Sequence, residues 1–428
     1  MRRYWTEDIE FLRHGEPNIR EISMRKIADE RVGRHLLFVC LPADGHVNPT
    51  LPFAAELVRR GHRVTYATSD RFAAAVTATG AEFLPIGFAL PPGTPTADSG
   101  PTRYVERMRL YADLVENGYQ ALYQWAVAHG PDSVCYDMST PPGRMIAERL
   151  GLPGIRMLPT IAGNEHTRAQ FQAAGMSGPE RAALRPVWRD MRRLAMQHGV
   201  NTAAVMMAEP TPGLNIVFLP RAFQPAGETF ADDFVFAGPS AMPAGTDDGW
   251  QPPPGEAPLV LVALGTASNR PEVYRAALGA FGTADWRVVL AVGEHLDVAA
   301  LGPIPEGVVV APVVPQPAVL RHADVFVSHG GMNSVMESLL AVVPTVVVPE
   351  RPEQKANAAR VAELGLGRRL TAGELSASAL RDAATALLGD SPERAAVRGF
   401  RDRHLRGDGA IVAADAAEAF LARRAVAV

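Results

Sequence analysis

The sequence predicts an α/β protein built from two doubly wound domains in tandem, facing one interdomain cleft. Three observations predict it. Short apolar runs alternate with helical patterns along most of the chain, the signature of parallel sheets joined by right-handed crossovers. A stretch dense in proline and glycine, 238–258 (GPSAMPAGTDDGWQPPPGEAP), separates those runs into two sets. The chain has 428 residues, too many for one ordinary core. The implied division is an N-terminal extension over 1–33, a first domain over 34–237 and the linker 238–258. A second domain follows over 259–408, then a C-terminal helix over 409–428 that could return to the first domain.

Residues 1–33 are charge-rich, part of them could be helical, and Met24 is an alternative start. Leu36–Leu41 is read as a strand and Asp44-Gly45-His46 as a turn. Asn48-Pro49 supplies an N-cap followed by proline at the first helical position. That helix runs to Arg60, stops at Gly61 and leads into a strand at Val64–Ala67, a βαβ unit. Gly87 to Thr102 is rich in Pro, Gly and Thr and is expected to be a long surface loop. Apolar residues then recur at helical spacing over 104–129, ending at Gly130-Pro131. Val134–Tyr136 is a short strand that ends at Asp137. Residues 161–208 are helical and read as an insertion lining a pocket. Past the linker, strands are expected from Leu259 and near 286–292, 308–313, 323–327 and 345–348.

Composition narrows the function. Hydrophobic residues are 47% of the chain, enough for well-filled α/β cores. Net charge is -4, so there is no basic field for nucleic acid and no polybasic membrane cluster. No apolar run reaches membrane-spanning length, and the N-terminus lacks the apolar region of a secretory signal. Cys40 and Cys135 lie in strand-like runs and read as reduced buried thiols of a cytoplasmic protein. No Cys/His spacing suggests a metal site.

Ligands of doubly wound domains sit outside the carboxyl ends of the strands. His46, Asp137, Thr266 and His329 all fall at such ends. The most telling stretch is Ser328-His329-Gly330-Gly331-Met332-Asn333-Ser334-Val335-Met336-Glu337. A strand opens there through a Gly-Gly turn into a helix, aiming free backbone N–H groups and a positive dipole end at one point. That arrangement suits a phosphate. Asn333 and Ser334 share a helix face with Glu337. Phosphate at the tip and a carboxylate one turn below could hold the phosphates and ribose of one nucleotide. Further on, Glu353 and Gln354 offer a carboxylate beside an amide, which suits a pair of sugar hydroxyls. They could equally form an acidic first turn that favours the helix dipole. His46, in a Gly-His turn, would ordinarily be exposed and unremarkable, and Asp137 could be a turn or N-cap aspartate before Pro141.

The segment from about 310 to 355 resembles the donor-binding signature of the family 1, UDP-sugar-dependent glycosyltransferases, which have the two-domain GT-B fold. GHVNP at 45–49 and the Tyr136-Asp137 pair resemble its bacterial macrolide glycosyltransferase branch. The similarity runs from about residue 35 to the C-terminus and is weakest at 85–110 and 161–215, where acceptor sites vary. The resemblance implies that Thr266, His329, Gly331, Asn333 and Ser334 meet the donor diphosphate. It implies that Glu337 holds the ribose and that Glu353 and Gln354 hold the sugar. His46 would be the catalytic base, with Asp137 on its other ring nitrogen. Many members place Trp before Val-Pro-Gln to stack on the uracil. Here Val313 stands at that position, leaving the backbone near Val314 and Gln316 to read the base edge.

The reaction so implied moves a hexose, glucose from UDP-glucose, to a hydroxyl of a lipophilic natural product such as a macrolide or polyphenol, with inversion. It needs no metal and no cofactor beyond the nucleotide-sugar co-substrate, and a monomer or homodimer would serve. Met157, Met176, Met191, Met196, Met206, Met207 and Phe171 crowd the variable part of the first domain and suit a large apolar acceptor, although core packing explains most Met equally well. The alternatives are a dTDP-deoxysugar transferase of antibiotic biosynthesis, a nucleotide-sugar 2-epimerase, and a non-catalytic nucleotide-sugar binder.

Overall fold

The computed structural model describes residues 33–86, 101–167, 182, 184–205, 213–240, 249–265, 270–294 and 296–426. The extension read over 1–33 lies outside them except for Gly33.

The first domain carries β1 (His35–Val39), β2 (Arg63–Thr68), β3 (Glu82–Pro85), β4 (Ser133–Asp137), β5 (Gly154–Leu158), β6 (Leu214–Val217) and β7 (Phe234–Phe236). They form one parallel sheet in the order β3-β2-β1-β4-β5-β6-β7. The second carries β8 (Leu259–Ala263), β9 (Arg287–Ala291), β10 (Val308–Ala311), β11 (Val325–Ser328), β12 (Thr345–Val347) and β13 (Gly367–Arg369). Their order is β10-β9-β8-β11-β12-β13, also parallel. Helices cover both faces. That is why central strands such as His35–Val39, Leu259–Ala263 and Val325–Ser328 are buried along their whole length and show no apolar/polar alternation.

Chain order reverses between β1 and β4 in one sheet and between β8 and β11 in the other. Loops leave in opposite directions at such a point and open a crevice at the carboxyl ends. Val39 pairs with Tyr136, and Ser328 with Ala263, so His46 and Asp137 follow neighbouring strand ends, as do Gly265 and His329.

The two domains share one apolar cluster. Leu158, Val217 and Phe223 of the first pack in it with Met332, Val335 and Phe400 of the second. Arg360 ties the seam by donating to the carbonyls of Phe223 at 2.9 Å and Ala222 at 2.8 Å. The C-terminal helix Gly409–Val426 packs on the first domain against the helix Leu51–Arg59. Arg60 donates there to Asp415 and Glu418, each at 2.7 Å. None of the described helices is long and apolar enough to cross a membrane.

Several local expectations are corrected. Asp44-Gly45-His46 is part of a helical turn, Asp44–Val47, and Asn48 closes that turn instead of capping the next helix. The next helix starts at Leu51, with Pro52 in its first turn, where a missing N–H costs nothing. The loop read to Thr102 ends sooner, because the helix Pro101–His129 already begins at Pro101; 87–100 lie outside the described residues. The described part of 161–208 forms the helices Arg185–Gln197 and Thr202–Val205. Val187, Met191 and Leu194 are buried there with Tyr119 and Leu122, so these described helices help complete a core. Met157 is buried on β5 and Met196 is 75% exposed; Phe171, Met176, Met206 and Met207 lie outside the described residues.

Candidate active site

His46 sits on the short turn beyond β1, and Asp137 is the last residue of the adjoining β4. Nδ1 of His46 lies 2.7 Å from Oδ2 of Asp137. The other oxygen of Asp137 accepts the backbone N–H of Ser139 at 2.7 Å. Both oxygens are engaged and the Asp137 side chain is fully buried, so the carboxylate has one orientation. A carboxylate can only accept, so the Nδ1 of neutral His46 carries the proton and Nε2 keeps its lone pair. The His46 side chain remains 23% exposed. Burial works against the charged ring, but the Asp137 carboxylate outweighs it, with a smaller contribution from Glu353, and the pKa is held above the ordinary value.

In the second domain β11 runs into His329-Gly330-Gly331 and then the helix Met332–Leu340. Glycine is required twice. Gly330 has φ +84°, and a Cβ there would meet Val347 Cγ1 at 2.7 Å. A Cβ on Gly331 would meet His329 Nε2 at 2.5 Å. The imidazole therefore lies directly over the helix entrance. Asn357 braces the turn by donating to the Gly330 carbonyl at 2.9 Å. Gly331 occupies the N-cap and no side chain caps the helix, so its first N–H groups face outward for an anion. Burial, with help from the Arg351 charge, pushes the His329 pKa down to about 4. At neutral pH the ring is therefore uncharged and offers a hydrogen bond in place of a charge.

One turn below, Gln316 donates to Glu337 at 2.7 Å and to Ser334 at 3.2 Å. Burial raises the Glu337 pKa to about 7, opposed by the Gln316 hydrogen bond. Gln316, expected near the base, thus also contacts the residue expected to hold the ribose. Val314 packs against the apolar cluster beneath the sheet, whereas Val313 is 61% exposed.

The oxygen of Gln354 accepts the backbone N–H groups of Glu350 and Arg351, each at 2.9 Å. Gln354 can therefore bring only its NH₂ to a sugar. Glu353 is exposed and accepts from the Thr160 hydroxyl of the first domain at 2.9 Å. Asn333 Nδ2 stands 3.5 Å from the Asp44 carbonyl beside His46. Residues of both domains thus meet around His46. Thr266 lies outside the described residues. Thr160 was not singled out in the sequence, although it stands just past the end of β5, where the same strand-end rule would have found it.

Comparison with known proteins identifies the family. Residues 275–408 match the erythromycin biosynthesis protein CIII-like, C-terminal domain family. The chain is 37% identical to the NDP-glycosyltransferase YjiC of Bacillus licheniformis, over 91% of this chain and 98% of that protein. It is 36% identical to the demethyllactenocin mycarosyltransferase of Streptomyces fradiae, over 93% of this chain and 89% of that protein. Its fold is similar to the crystal structure of CalG4, the calicheamicin glycosyltransferase, with a TM-score of 0.77 and 36% identity, covering 92% of this chain and 99% of that one.

Proposed function

The chain belongs to the family 1 GT-B glycosyltransferases, and from that premise we propose that it transfers glucose from UDP-glucose to a hydroxyl of a lipophilic natural product, inverting the anomeric centre. The observation that carries the reading is the His46–Asp137 pair at 2.7 Å, in the same cleft as an uncapped helix tip and Glu353.

An alcohol is a poor nucleophile at neutral pH. His46 Nε2 takes its proton as the oxygen attacks the anomeric carbon, a contribution of about 10²–10⁴-fold. Asp137 fixes the tautomer and stabilises the imidazolium that forms. The departing diphosphate gathers negative charge. The N–H groups at Met332–Ser334 and the neutral ring of His329 meet it with preorganised donors. Glu337 accepts from the ribose hydroxyls. Glu353 accepts from one sugar hydroxyl and the Gln354 NH₂ donates to another, a pairing suited to a fully hydroxylated hexose. Attack on an α-linked donor in one displacement yields a β-glycoside. Asp137 is shut behind His46 and supplies no nucleophile for a two-step route. We assign no metal to the reaction. Two buried free cysteines, Cys40 and Cys135, fit a reducing, cytoplasmic setting.

A different donor, a dTDP-deoxysugar, is the second reading. Likeness to a protein named a mycarosyltransferase favours it. One experiment separates the two. UDP-glucose and dTDP-glucose are each incubated with a library of hydroxylated aglycones, and products are read by mass spectrometry and by the anomeric proton coupling. A hexose adduct with β geometry that forms from UDP-glucose in preference to dTDP-glucose and disappears in His46→Ala, while nucleotide binding persists, supports the proposal. An α product, or full activity without His46, refutes the mechanism.

A further inference from the structure

The turn that carries His46 is only four residues long, and its N-cap residue Ala43 makes no side-chain hydrogen bond. A single helical turn does not hold itself, so something else must fix the backbone beneath the ring. Thr50 does so from below. Its hydroxyl lies 2.9 Å from the Val47 carbonyl and 3.2 Å from the carbonyl of His46 itself. Thr50 has one proton, and these carbonyls take it. The Tyr66 hydroxyl, 2.6 Å from Thr50 Oγ1, must therefore donate. Tyr66 stands within β2, the strand next to β1, and its ring stacks on Phe38 with centroids 5.5 Å apart. Thr50 and Tyr66 are both 0% exposed, in a core otherwise lined by Phe38, Phe53 and Leu57. Buried hydroxyls in such a place are costly unless paired. Among the described residues they pair with each other, with neighbouring Cys40 and with the turn that bears the base.

We propose that Tyr66 and Thr50 are positioning residues for the glycosyl-transfer step: Tyr66 donates to Thr50, Thr50 donates to the carbonyls at 46–47, and this chain holds His46 against Asp137 and toward the acceptor. The proposal rests on the transferase reading above. It deepens that reading by extending the catalytic machinery into the strand behind it.

Tyr66→Phe removes one hydroxyl and keeps the ring packing. Thr50→Val removes the donor to the turn, and Thr50→Ser keeps it. Steady-state kinetics with saturating acceptor, and calorimetry with the nucleotide sugar, are run on all three and on the unaltered enzyme. A shift of about 1 Å at a reacting group costs as much as 10²-fold, so kcat should fall about tenfold in Tyr66→Phe and further in Thr50→Val. Thr50→Ser should recover most of the rate lost in Thr50→Val. The donor Kd should stay unchanged, because that site belongs to the other domain. The acidic limb of the kcat–pH profile should move to lower pH in Tyr66→Phe and Thr50→Val, as a loosened His46 loses part of its contact with Asp137. An unchanged kcat and pH limb in folded Tyr66→Phe and Thr50→Val overturns the proposal. So does a parallel loss of kcat and donor affinity, which would mark a general structural defect. Turnover by the unaltered enzyme is the separate control: its absence overturns the transferase reading itself, whereas normal turnover with unaffected variants overturns only this inference.

Discussion

Replacing Glu337 by Gln should remove a pH dependence from nucleotide-sugar binding. Burial holds the Glu337 carboxyl at about 7. A carboxylate accepts both ribose hydroxyls, whereas its protonated form competes as a donor, so the ionised form is the binding-competent one. With half-ionisation near pH 7, about one tenth of the protein is competent at pH 6 and about nine tenths at pH 8. Apparent affinity scales with that fraction, so Kd should tighten roughly tenfold between the two. That is about 1.4 kcal/mol. Binding at pH 6.5 should also release protons, visible in calorimetry as a heat that depends on the buffer. UDP-glucose is the right probe because its diester phosphates do not titrate in this window. The His46→Ala background removes the other imidazole of the cleft, and His329, at about 4, is already neutral throughout. In the Glu337→Gln background the slope should vanish. A Kd that is flat from pH 6 to 8 with Glu337 present, or a slope that survives Glu337→Gln, would refute the ribose assignment.

Three further outcomes are expected. In Asp137→Asn the charge that holds the His46 pKa up is gone, so the acidic limb of kcat should move to lower pH; the plateau should fall by about 10²-fold or more, as a misdirected general base requires. Gly331→Ala drives a Cβ to within 2.5 Å of the His329 ring, and UDP affinity measured by calorimetry should weaken by about 1–3 kcal/mol as the ring is forced aside. Val313→Trp should tighten UDP by about 1–3 kcal/mol through stacking at this exposed position, and an unchanged Kd would show that the base lies elsewhere.

Residues 328–337 were legible because their chemistry is local. A strand end, two glycines and one helical turn lie within a single stretch, and each contact is short in sequence. The bond from Gln316 to Glu337 was not legible, for the opposite reason. Glu337 is brought to Gln316 by the helix Met332–Leu340 packing beside Gln316–Leu320, a tertiary event with no local signal. The reading of Gln354 as a sugar ligand missed that its oxygen caps its own helix, since Arg351 stands where a Ser or Thr would have announced the cap. The helix after β1 shows competition between two equally good signals. Pro49 and Pro52 could each open a helix, and propensity does not choose between them. Thr50 decides, because its hydroxyl turns back to Val47 and across to Tyr66, which no window around residue 50 contains.

The same reasoning explains why the base and the donor site share one cleft although they lie far apart in sequence. In each sheet the order of strands reverses once, between β1 and β4 and between β8 and β11, and the crevice opens at that reversal. The shared apolar cluster and the Arg360 clamp bring the two domains together on this side. Glu353 then reaches Thr160, and Asn333 approaches the Asp44 carbonyl. A negative group held this close to His46 also raises its pKa, so the carboxylate assigned to the sugar bears on the strength of the base. Neutralising it with Glu353→Gln should therefore change two readouts at once. Sugar discrimination should fall, because a hydroxyl acceptor is lost, and the acidic limb of kcat should shift modestly to lower pH, because His46 loses a nearby charge. A mutation confined in effect to sugar binding would move only the first. If the pH limb stays where it is, the two functions are electrostatically independent and the cleft is less tightly coupled than its geometry implies.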